Sequence, residues 1–191
     1  MNFEIQEFEE LPEQEFQALK KIALSFHPFL QWEQNLNIEE KGKLAGLKQR
    51  QPMGYTLRLG VLHEKKLIGA SFSFQQSSTD LMMGVSAVLP EFRRRGIYGA
   101  LCKKTLEIAK REGFQSVASK HLLTNNAILI AKLRLGFNIC GMETDAVHGT
   151  LLKMVYNVNP EMAEALRYRA GEVFLFDQKR IHASFGNKRE P

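Results

Sequence analysis

The chain has 191 residues, of which 44% are hydrophobic, and it carries a formal net charge of +5. This length and composition fit one domain with a substantial core, and they exclude a bilayer-spanning helix because no apolar run reaches the roughly 18 residues that such a helix needs. The first sixteen residues are acidic, whereas a secretory signal is basic and then apolar, so we expect a cytoplasmic protein with no membrane partner.

The first half of the chain predicts a short strand, two helices and a three-stranded meander. Residues 3–8 favour a strand, and residues 12–26 favour an amphipathic helix because their apolar side chains recur every three or four positions. A looser helix is predicted at residues 38–48, where two glycines weaken the helical propensity. From residue 55 onward, three short alternating runs are joined by brief polar turns, which is typical of antiparallel strands.

The second half alternates helices with strands. The predicted elements after the meander are a helix at 97–113, a strand at 114–122, a helix at 126–135, and strands at 137–141 and 150–158. Gly113 is expected to end the first of these helices, and Asn125 is expected to cap the second. The order predicts an α/β (α+β) fold with a mixed, mostly antiparallel central sheet and helices on both faces.

Positive charge is concentrated in the middle of the chain. Residues 93–134 contain ten Lys or Arg against two acidic residues, whereas the first fifteen residues contain six glutamates. A basic region of this kind suits a phosphate-bearing partner, which could be a nucleotide-type cofactor or a nucleic acid. Three consecutive arginines, Arg93, Arg94 and Arg95, stand at the start of this region.

These arginines stand between a strand and a helix, which is the arrangement of an anion-binding site. The first amides of a helix have no intrahelical acceptor and point in one direction. Gly96 lets the main chain approach a phosphate, and Gly99 allows close packing of the first helical turn. The arginines by themselves could form a solvated turn, but the glycines and the strand-to-helix context favour the anion site.

This segment resembles the pyrophosphate loop of the GNAT superfamily of acetyl-CoA-dependent N-acyltransferases. The family loop reads V-x-P-x-x-[R/Q]-x-x-G-x-[G/A], and the residues that match it in register are Val88, Pro90, Arg93 and Gly96. A second family signature is an Asn followed by a Tyr seven residues on and then by K-x-G-F; it is echoed by Asn125, Arg134, Gly136 and Phe137. The resemblance covers residues 55–156, is strongest at 81–137, and leaves the N-terminal fifty and C-terminal thirty residues without a motif.

The resemblance implies a site for acetyl-CoA as cosubstrate, without a metal. The fourth strand, at 81–88, would splay from the fifth, at 115–121, and the pantetheine arm would lie in the gap. The implied cofactor-binding residues are Ala87, Val88, Arg93, Arg94, Arg95, Gly96, Ile97, Tyr98, Gly99 and Asn125. Residues 1–158 would form the acyltransferase domain, and a C-terminal helix and tail would follow at 159–191.

Two positions depart from the family pattern. Tyr98 replaces a Gly or Ala, and its ring is expected to pack on the helix or to line the site, with a contact to the substrate as the alternative. Lys132 replaces the tyrosine that gives the departing thiolate a proton. A solvated lysine is favoured there, with a phosphate contact and a proton donor as alternatives.

Catalytic residues are therefore unknown, with Lys132 and His121 as candidates. The unperturbed pKa of His121 would suit proton transfer, although a structural hydrogen bond is the favoured alternative. The strand at 81–88 contains no carboxylate, so the sequence does not identify a general base. The two cysteines, Cys102 and Cys140, lack metal-ligand spacing, and both are expected to be buried and reduced.

Three functions compete. The leading one is an N-acyltransferase that moves an acetyl group from acetyl-CoA to a primary amine of a small molecule or protein, whose identity the sequence does not give. The alternative is a non-catalytic acyl-CoA-binding or sensing protein, because the usual tyrosine and carboxylate are missing. Nucleic-acid binding is disfavoured, since no known motif for it occurs and the basic residues coincide with the cofactor loop. A homodimer is one arrangement open to the chain.

Overall fold

The computed structural model describes residues 2–23, 32–50 and 54–169. The strands are β1 (Glu4–Glu7), β2 (Thr56–His63), β3 (Lys66–Gln75), β4 (Asp80–Val88), β5 (Ser116–Leu122), β6 (Asn138–Asp145) and β7 (Gly149–Asn157). The helices are α1 (Glu13–Ala23), α2 (Ile38–Arg50), α3 (Ile97–Arg111), α4 (Asn126–Arg134) and α5 (Pro160–Arg169), with short 3₁₀ turns at Trp32–Asn35 and Pro90–Phe92. Positions 24–26 of the first predicted helix and the predicted tail at 170–191 lie outside the described residues.

The seven strands form one mixed sheet in the order β1-β2-β3-β4-β5-β7-β6. Neighbouring strands are antiparallel except for β4 and β5, which run parallel because the chain crosses between them through α3. The mixed, mostly antiparallel sheet that the sequence predicts is therefore confirmed. None of the helices in the described ranges has the length and apolar character to cross a membrane.

Helices cover both faces of the sheet, as predicted. The larger core lies between the sheet and the helices α3 and α4, and it includes Leu59, Leu101 and Phe137. A smaller cluster on the other face packs Leu19 of α1 against Ala87 of β4. The two faces of β4 therefore contact different helices, which places this strand between the two cores.

The ends of α3 and α4 show the predicted capping residues. Gly113 follows α3 in the left-handed region, with φ +86°, where glycine carries no steric penalty. Asn125 is the N-cap of α4, and its side chain accepts a hydrogen bond from the amide of Ile128 at 3.4 Å. These local signals place the start of α4 next to the end of β5.

The strands β4 and β5 separate part of the way along. Residues 80–83 of β4 pair with residues 116–119 of β5, and beyond Met83 and Ser119 the ladder ends. On its other side β4 contains a bulge, because Phe72 pairs with Val85 while Ser73 pairs with Met83, which leaves Gly84 unmatched. A bulge bends its strand. The expected splay is thus present, and we call the V-shaped opening beyond Met83 and Ser119 the fork.

Candidate functional site

The loop between β4 and α3 lies at the open end of the fork and is shaped to hold an anion. Gly96 has φ +79°, and no atom lies within 4 Å of the position that a Cβ would take. Arg94 also has a positive φ of 61°. The first amides of α3, those of Ile97, Tyr98 and Gly99, donate to no acceptor within the described part of the chain. Converging amides of this kind form anion-binding concavities at helix starts.

The three arginines surround this loop and are exposed. Arg93 donates from Nε to the carbonyl oxygen of Val88 at 3.1 Å, which ties the loop to the end of β4. The guanidinium carbon of Arg95 lies 5.6 Å from the ring centroid of Phe92. These contacts hold the loop in shape while the positive charges stay at the protein surface.

Ala87 and Val88 lie on the arm of β4 that diverges from β5. They pair with Ala70 and Gly69 of β3, while β5 pairs with β4 only as far as Met83. The edge of β4 that faces the fork is therefore left without a strand partner among the described residues. An elongated ligand could add to this edge as a strand does, through main-chain hydrogen bonds.

Lys132 is fully buried, with 0% of its surface exposed, so the prediction of a solvated lysine is wrong. Its Nζ lies 2.9 Å from Sδ of Met83 and 3.8 Å from the ring centroid of Phe137. Because Met83 belongs to the last paired rung, Lys132 lies where the fork begins. Burial lowers the pKa of Lys132 to about 8, partly offset by the hydrogen-bonded thiol of Cys102.

Cys102 is a neighbour of this lysine that the sequence reasoning did not connect with the site. It is buried on α3, four residues after Tyr98, and the two side chains are hydrogen-bonded. Burial raises the pKa of both groups, so the thiol and the phenol stay protonated at neutral pH. The spacing of four residues, which puts both side chains on one face of α3, was the available signal. Cys140 is exposed, so its predicted burial is wrong.

His121 lies on β5 beyond the last rung shared with β4. Its Nε2 is 3.1 Å from Oγ of Ser119, and burial together with the charge of Lys132 lowers the pKa of His121 to about 4. The imidazole is therefore neutral at physiological pH and a weaker base than its unperturbed pKa implied. Asp80 stands at the closed end of the fork, where hydrogen bonds from Ser116 and Ser77 lower its pKa.

Three serine hydroxyl groups lie in the sheet near the fork, of which those of Ser71 and Ser73 are buried and that of Ser86 is half-buried. Oγ of Ser71 on β3 and Oγ of Ser86 on β4 are 2.9 Å apart. Ser73 pairs in register with Met83, and its Oγ is buried without a hydrogen-bond partner in the described structure. A buried unpaired hydroxyl is costly, and a bound ligand or water commonly satisfies such a group.

The structure brings the expected site residues to one region in three groups. The loop residues lie at the open end of the fork, Ala87 and Val88 along its free edge, and Lys132 and His121 near its base. A separate cleft of about 400 Å³ lies at the other end of the sheet and is lined by residues that include Lys110, Gln115 and Glu161. Within the described ranges, no cluster of His, Cys, Asp and Glu could hold a metal ion.

Comparison with known proteins gives one family and one fold. A family model described as "Acetyltransferase (GNAT) family" matches residues 5–137. No curated protein gives a significant match. The ribosomal-protein-S18-alanine N-acetyltransferase from Escherichia coli superimposes with a TM-score of 0.63 at 15% identity, over 83% of this chain and 95% of that chain.

Two further solved structures show the same likeness. An N-acetyltransferase from Staphylococcus aureus Mu50 has a TM-score of 0.61 at 15% identity, covering 83% of this chain and all of that one (100%). An acetyltransferase from Bacillus subtilis in complex with CoA has a TM-score of 0.59 at 13% identity, covering 82% of this chain and 99% of that chain. At these identities the likeness shows the fold.

Proposed function

Because the chain belongs to the acetyltransferase (GNAT) family, we propose that it transfers an acetyl group from acetyl-CoA to a primary amine of a small molecule or a protein. The observation that carries this proposal is the run of unpaired amides at Ile97, Tyr98 and Gly99, beside the arginines and at the open end of the fork. A pyrophosphate fits these donors because it offers several anionic oxygens at one place.

The residues around the fork support roles in binding and orientation. The free edge of β4 at Ala87 and Val88 would hold the pantetheine arm through main-chain hydrogen bonds. A main-chain amide of this arm would also stabilise the oxyanion that forms during acyl transfer. Asn125 lies at the start of α4, where its capping role leaves room for a cofactor contact. Acetyl-CoA supplies the activated acetyl group as its thioester.

The amine must lose a proton before or during attack, and no carboxylate of the described residues has been placed within the fork. Neither β4 nor β5 contains a carboxylate beyond Asp80, which lies at the closed end. His121 has a pKa of about 4 and so accepts a proton poorly. We therefore assign deprotonation of the amine to ordered water that leads to solvent.

The second candidate function is acyl-CoA binding without transfer. It is favoured by one specific observation, the replacement of the expected tyrosine by a lysine that is fully buried. Under this alternative the loop and the free edge of β4 would bind the same ligand, but no amine would be acetylated.

Calorimetric titration with acetyl-CoA, followed by an assay of thiol release, separates the two. The assay would use a panel of primary amines: small alkylamines, polyamines and peptides with a free N-terminus. Binding together with amine-dependent release of CoA supports the transferase. Binding without release supports the acyl-CoA-binding alternative, and no binding of acetyl-CoA at millimolar concentration contradicts both.

A further inference from the structure

A row of three side chains crosses the sheet and ends at the fork. Arg58 of β2 pairs in register with Phe72 of β3, and Phe72 pairs with Val85 of β4. Residues that pair directly project to the same face of a sheet. Val85 lies beyond Met83, the last residue of β4 that pairs with β5, so it belongs to the diverging arm. The row therefore connects Arg58 with the free edge of β4.

This row lies on the face of the sheet that α1 covers in part, which we call the α1 face. Ala70 and Ala87 form the next row, and they pack against Leu19 of α1. Phe72 is two residues from Ala70 on β3, so the two side chains point to the same face. The three side chains of the row that begins with Arg58 are each half-buried. A ligand that approaches the fork from the α1 face would therefore meet them.

Two stacked phenylalanine rings form an apolar floor in and beside this row. Phe74 is two residues from Phe72 on β3, and the two ring centroids are 6.1 Å apart with an angle of 29° between the planes. Gly84, the unmatched residue of the bulge, is exposed next to them, and a Cβ there would lie 3.1 Å from Cε1 of Phe74. Glycine at this position therefore leaves room above the rings. An apolar group of a ligand fits such a surface.

Arg58 places a positive charge over this floor, and no carboxylate of the described ranges forms an ion pair with it. Its guanidinium carbon lies 5.5 Å from the ring centroid of Phe72, and its Nη1 donates to Oγ1 of Thr56 at 2.7 Å. These contacts hold the group in place but use only one of its five N–H donors. A carboxylate suits the remaining donors, because its two oxygens match the geometry of a guanidinium.

The carboxylates of the α1 face near the fork already have partners. Glu143 of β6 forms an ion pair with Lys120 of β5 at 2.6 Å. Asp80, at the closed end, accepts hydrogen bonds from two serines. Lys153 stands directly opposite Lys120 and adds positive charge. A cationic acceptor such as a polyamine would therefore find no uncommitted carboxylate among these described residues, whereas an anionic group would find Arg58.

We propose that the acceptor is an amino acid with an apolar side chain, whose carboxylate is bound by Arg58 and whose side chain lies on Phe72 and Phe74. This inference rests on the proposed function, since it names the amine that the transferase acetylates. Neighbouring strands are about 4.8 Å apart, so the guanidinium above Phe72 stands roughly one strand from the edge of β4. A single carbon separates the carboxylate from the amine in an α-amino acid, which fits this short distance.

Acetylation of the α-amine balances without a further reactant. The amine nitrogen attacks the thioester carbonyl, the C–N bond forms, and the C–S bond breaks with its electron pair left on sulfur. The amine loses one proton, and the sulfur of CoA takes one up. Arg58 has no part in these proton transfers. It binds the acceptor and orients the amine toward the edge of β4, so it is a substrate-binding residue.

The first test compares acceptors of the same shape in the wild type. Leucine, methionine and phenylalanine are each assayed against their own amides, which lack the carboxylate. We expect kcat/KM to be about 30-fold or more higher for the amino acids, because hydrogen bonds to a charged group are among the strongest. A carboxylate beside an amine favours its protonated form, so this preference would not come from a larger fraction of neutral amine. Equal values, or higher values for the amides, would overturn the inference.

The second test removes the guanidinium. Arg58→Gln is expected to lower kcat/KM for the amino acids by about 30-fold, while the amides stay within about threefold and KM for acetyl-CoA within about twofold. Arg58→Lys keeps the charge and should recover part of the loss. The matched control is Lys66→Gln, which removes an exposed charge from the same hairpin and should match the wild type. An equal loss for amino acids and amides in Arg58→Gln would assign Arg58 a structural role and contradict the proposal.

A third test needs no turnover, because it measures how the acetylated product binds. The protein is saturated with CoA and titrated by calorimetry with N-acetylphenylalanine or with N-acetylphenylalaninamide. In the wild type and in Lys66→Gln the acid should bind about 10-fold or more tightly than the amide. In Arg58→Gln the two should bind equally. Equal affinities in the wild type would count against a carboxylate site at Arg58.

The outcomes separate this inference from the proposed function. If acetyl-CoA does not bind, both fail. If acetyl-CoA binds and polyamines or peptides are acetylated while amino acids are not, the transferase stands and this inference fails. If no amine is acetylated but the CoA complex binds N-acetylphenylalanine through Arg58, the carboxylate site is supported and acetyl transfer is not.

Discussion

Two sets of cationic side chains stand at the two ends of the fork, and their surroundings are opposite. Arg93, Arg94 and Arg95 are exposed at the open end, where water and salt screen their charges. Lys132 is buried at the base, among a thioether, an aromatic ring and a thiol. The charges of the exposed arginines hardly change the free energy of unfolding, whereas the charge of the buried lysine lowers it.

This difference separates binding from stability. A phosphate that arrives with its own charge can be held by exposed arginines and free amides, because both partners remain partly solvated. Lys132 has no exposed surface, so its charge acts on the protein interior. Substitutions in the loop should therefore change ligand affinity, and substitutions of Lys132 should change the free energy of unfolding.

The largest expected effect is the loss of CoA binding in Gly96→Glu. A glutamate there would place a negative charge beside the amides that we propose as the pyrophosphate site, and we expect acetyl-CoA to cause no measurable shift in Tm. The control is Gly113→Glu, at a glycine with a similarly positive φ (+86° against +79°) and equally open space. Both variants carry the backbone strain, but only the first should lose the ligand. If Gly113→Glu loses the shift too, strain and not charge explains the result.

The next effect concerns the stability of Lys132→Met. The pKa of Lys132 falls from 10.5 in the unfolded chain to about 8 in the fold, so below pH 8 the folded lysine costs about 3 kcal/mol of free energy. Between pH 8 and 10.5 the lysine is protonated in the unfolded state and largely neutral in the folded state. The free energy of unfolding of the wild type therefore rises as pH rises through that window. Lys132→Met should therefore be the more stable protein at pH 7, with an advantage that shrinks by pH 10.

Urea unfolding of both proteins at pH 7 and pH 10 measures this difference. Lys132 also lowers the pKa of the Cys102 thiol, so the difference at pH 10 includes the change that the substitution makes in that group. A wild type that is as stable as Lys132→Met at pH 7 would contradict the expected cost of the buried charge.

A smaller effect is expected for Arg93→Ala. Loss of one charge-assisted contact should weaken acetyl-CoA binding by about 1 to 2 kcal/mol, or roughly tenfold, and the deficit should narrow as salt is added. The side chain also fixes the loop to the carbonyl of Val88, so part of the loss would come from a less ordered loop. Lys103→Ala, at an exposed position on α3, is the charge-matched control. If Arg93→Ala and the control bind acetyl-CoA with equal affinity, Arg93 does not contact the ligand and is part of a solvated turn.

The smallest effect is expected for His121→Gln. With a pKa of about 4, the imidazole stays neutral from pH 5 to 8 and contributes no titration to the activity profile in that range. The variant should keep kcat within about threefold and leave the shape of the pH profile unchanged. Loss of an inflection near pH 6.5 in the variant would instead identify His121 as a catalytic base.

Much of the fold could be predicted because its signals are local. The alternating runs at residues 55–88 and the helix after Gly96 depend on neighbours a few residues away, and so do the caps at Gly113 and Asn125. The unpaired amides at the start of α3 are of the same kind, since they follow from the start of a helix whatever surrounds it. These features therefore agree between sequence and structure.

The sequence by itself thus determined the order of the elements, the loop and the family signature. The tertiary structure decided the state of Lys132, which in the sequence is one of several lysines on amphipathic helices. Its partner Met83 is 49 positions away, and the contact exists because α4 packs on the sheet where β4 and β5 part. The low pKa of His121 has the same origin. Burial and its electrostatic cost arise when segments that are distant in the sequence pack together and exclude water. A local sequence pattern therefore does not predict them.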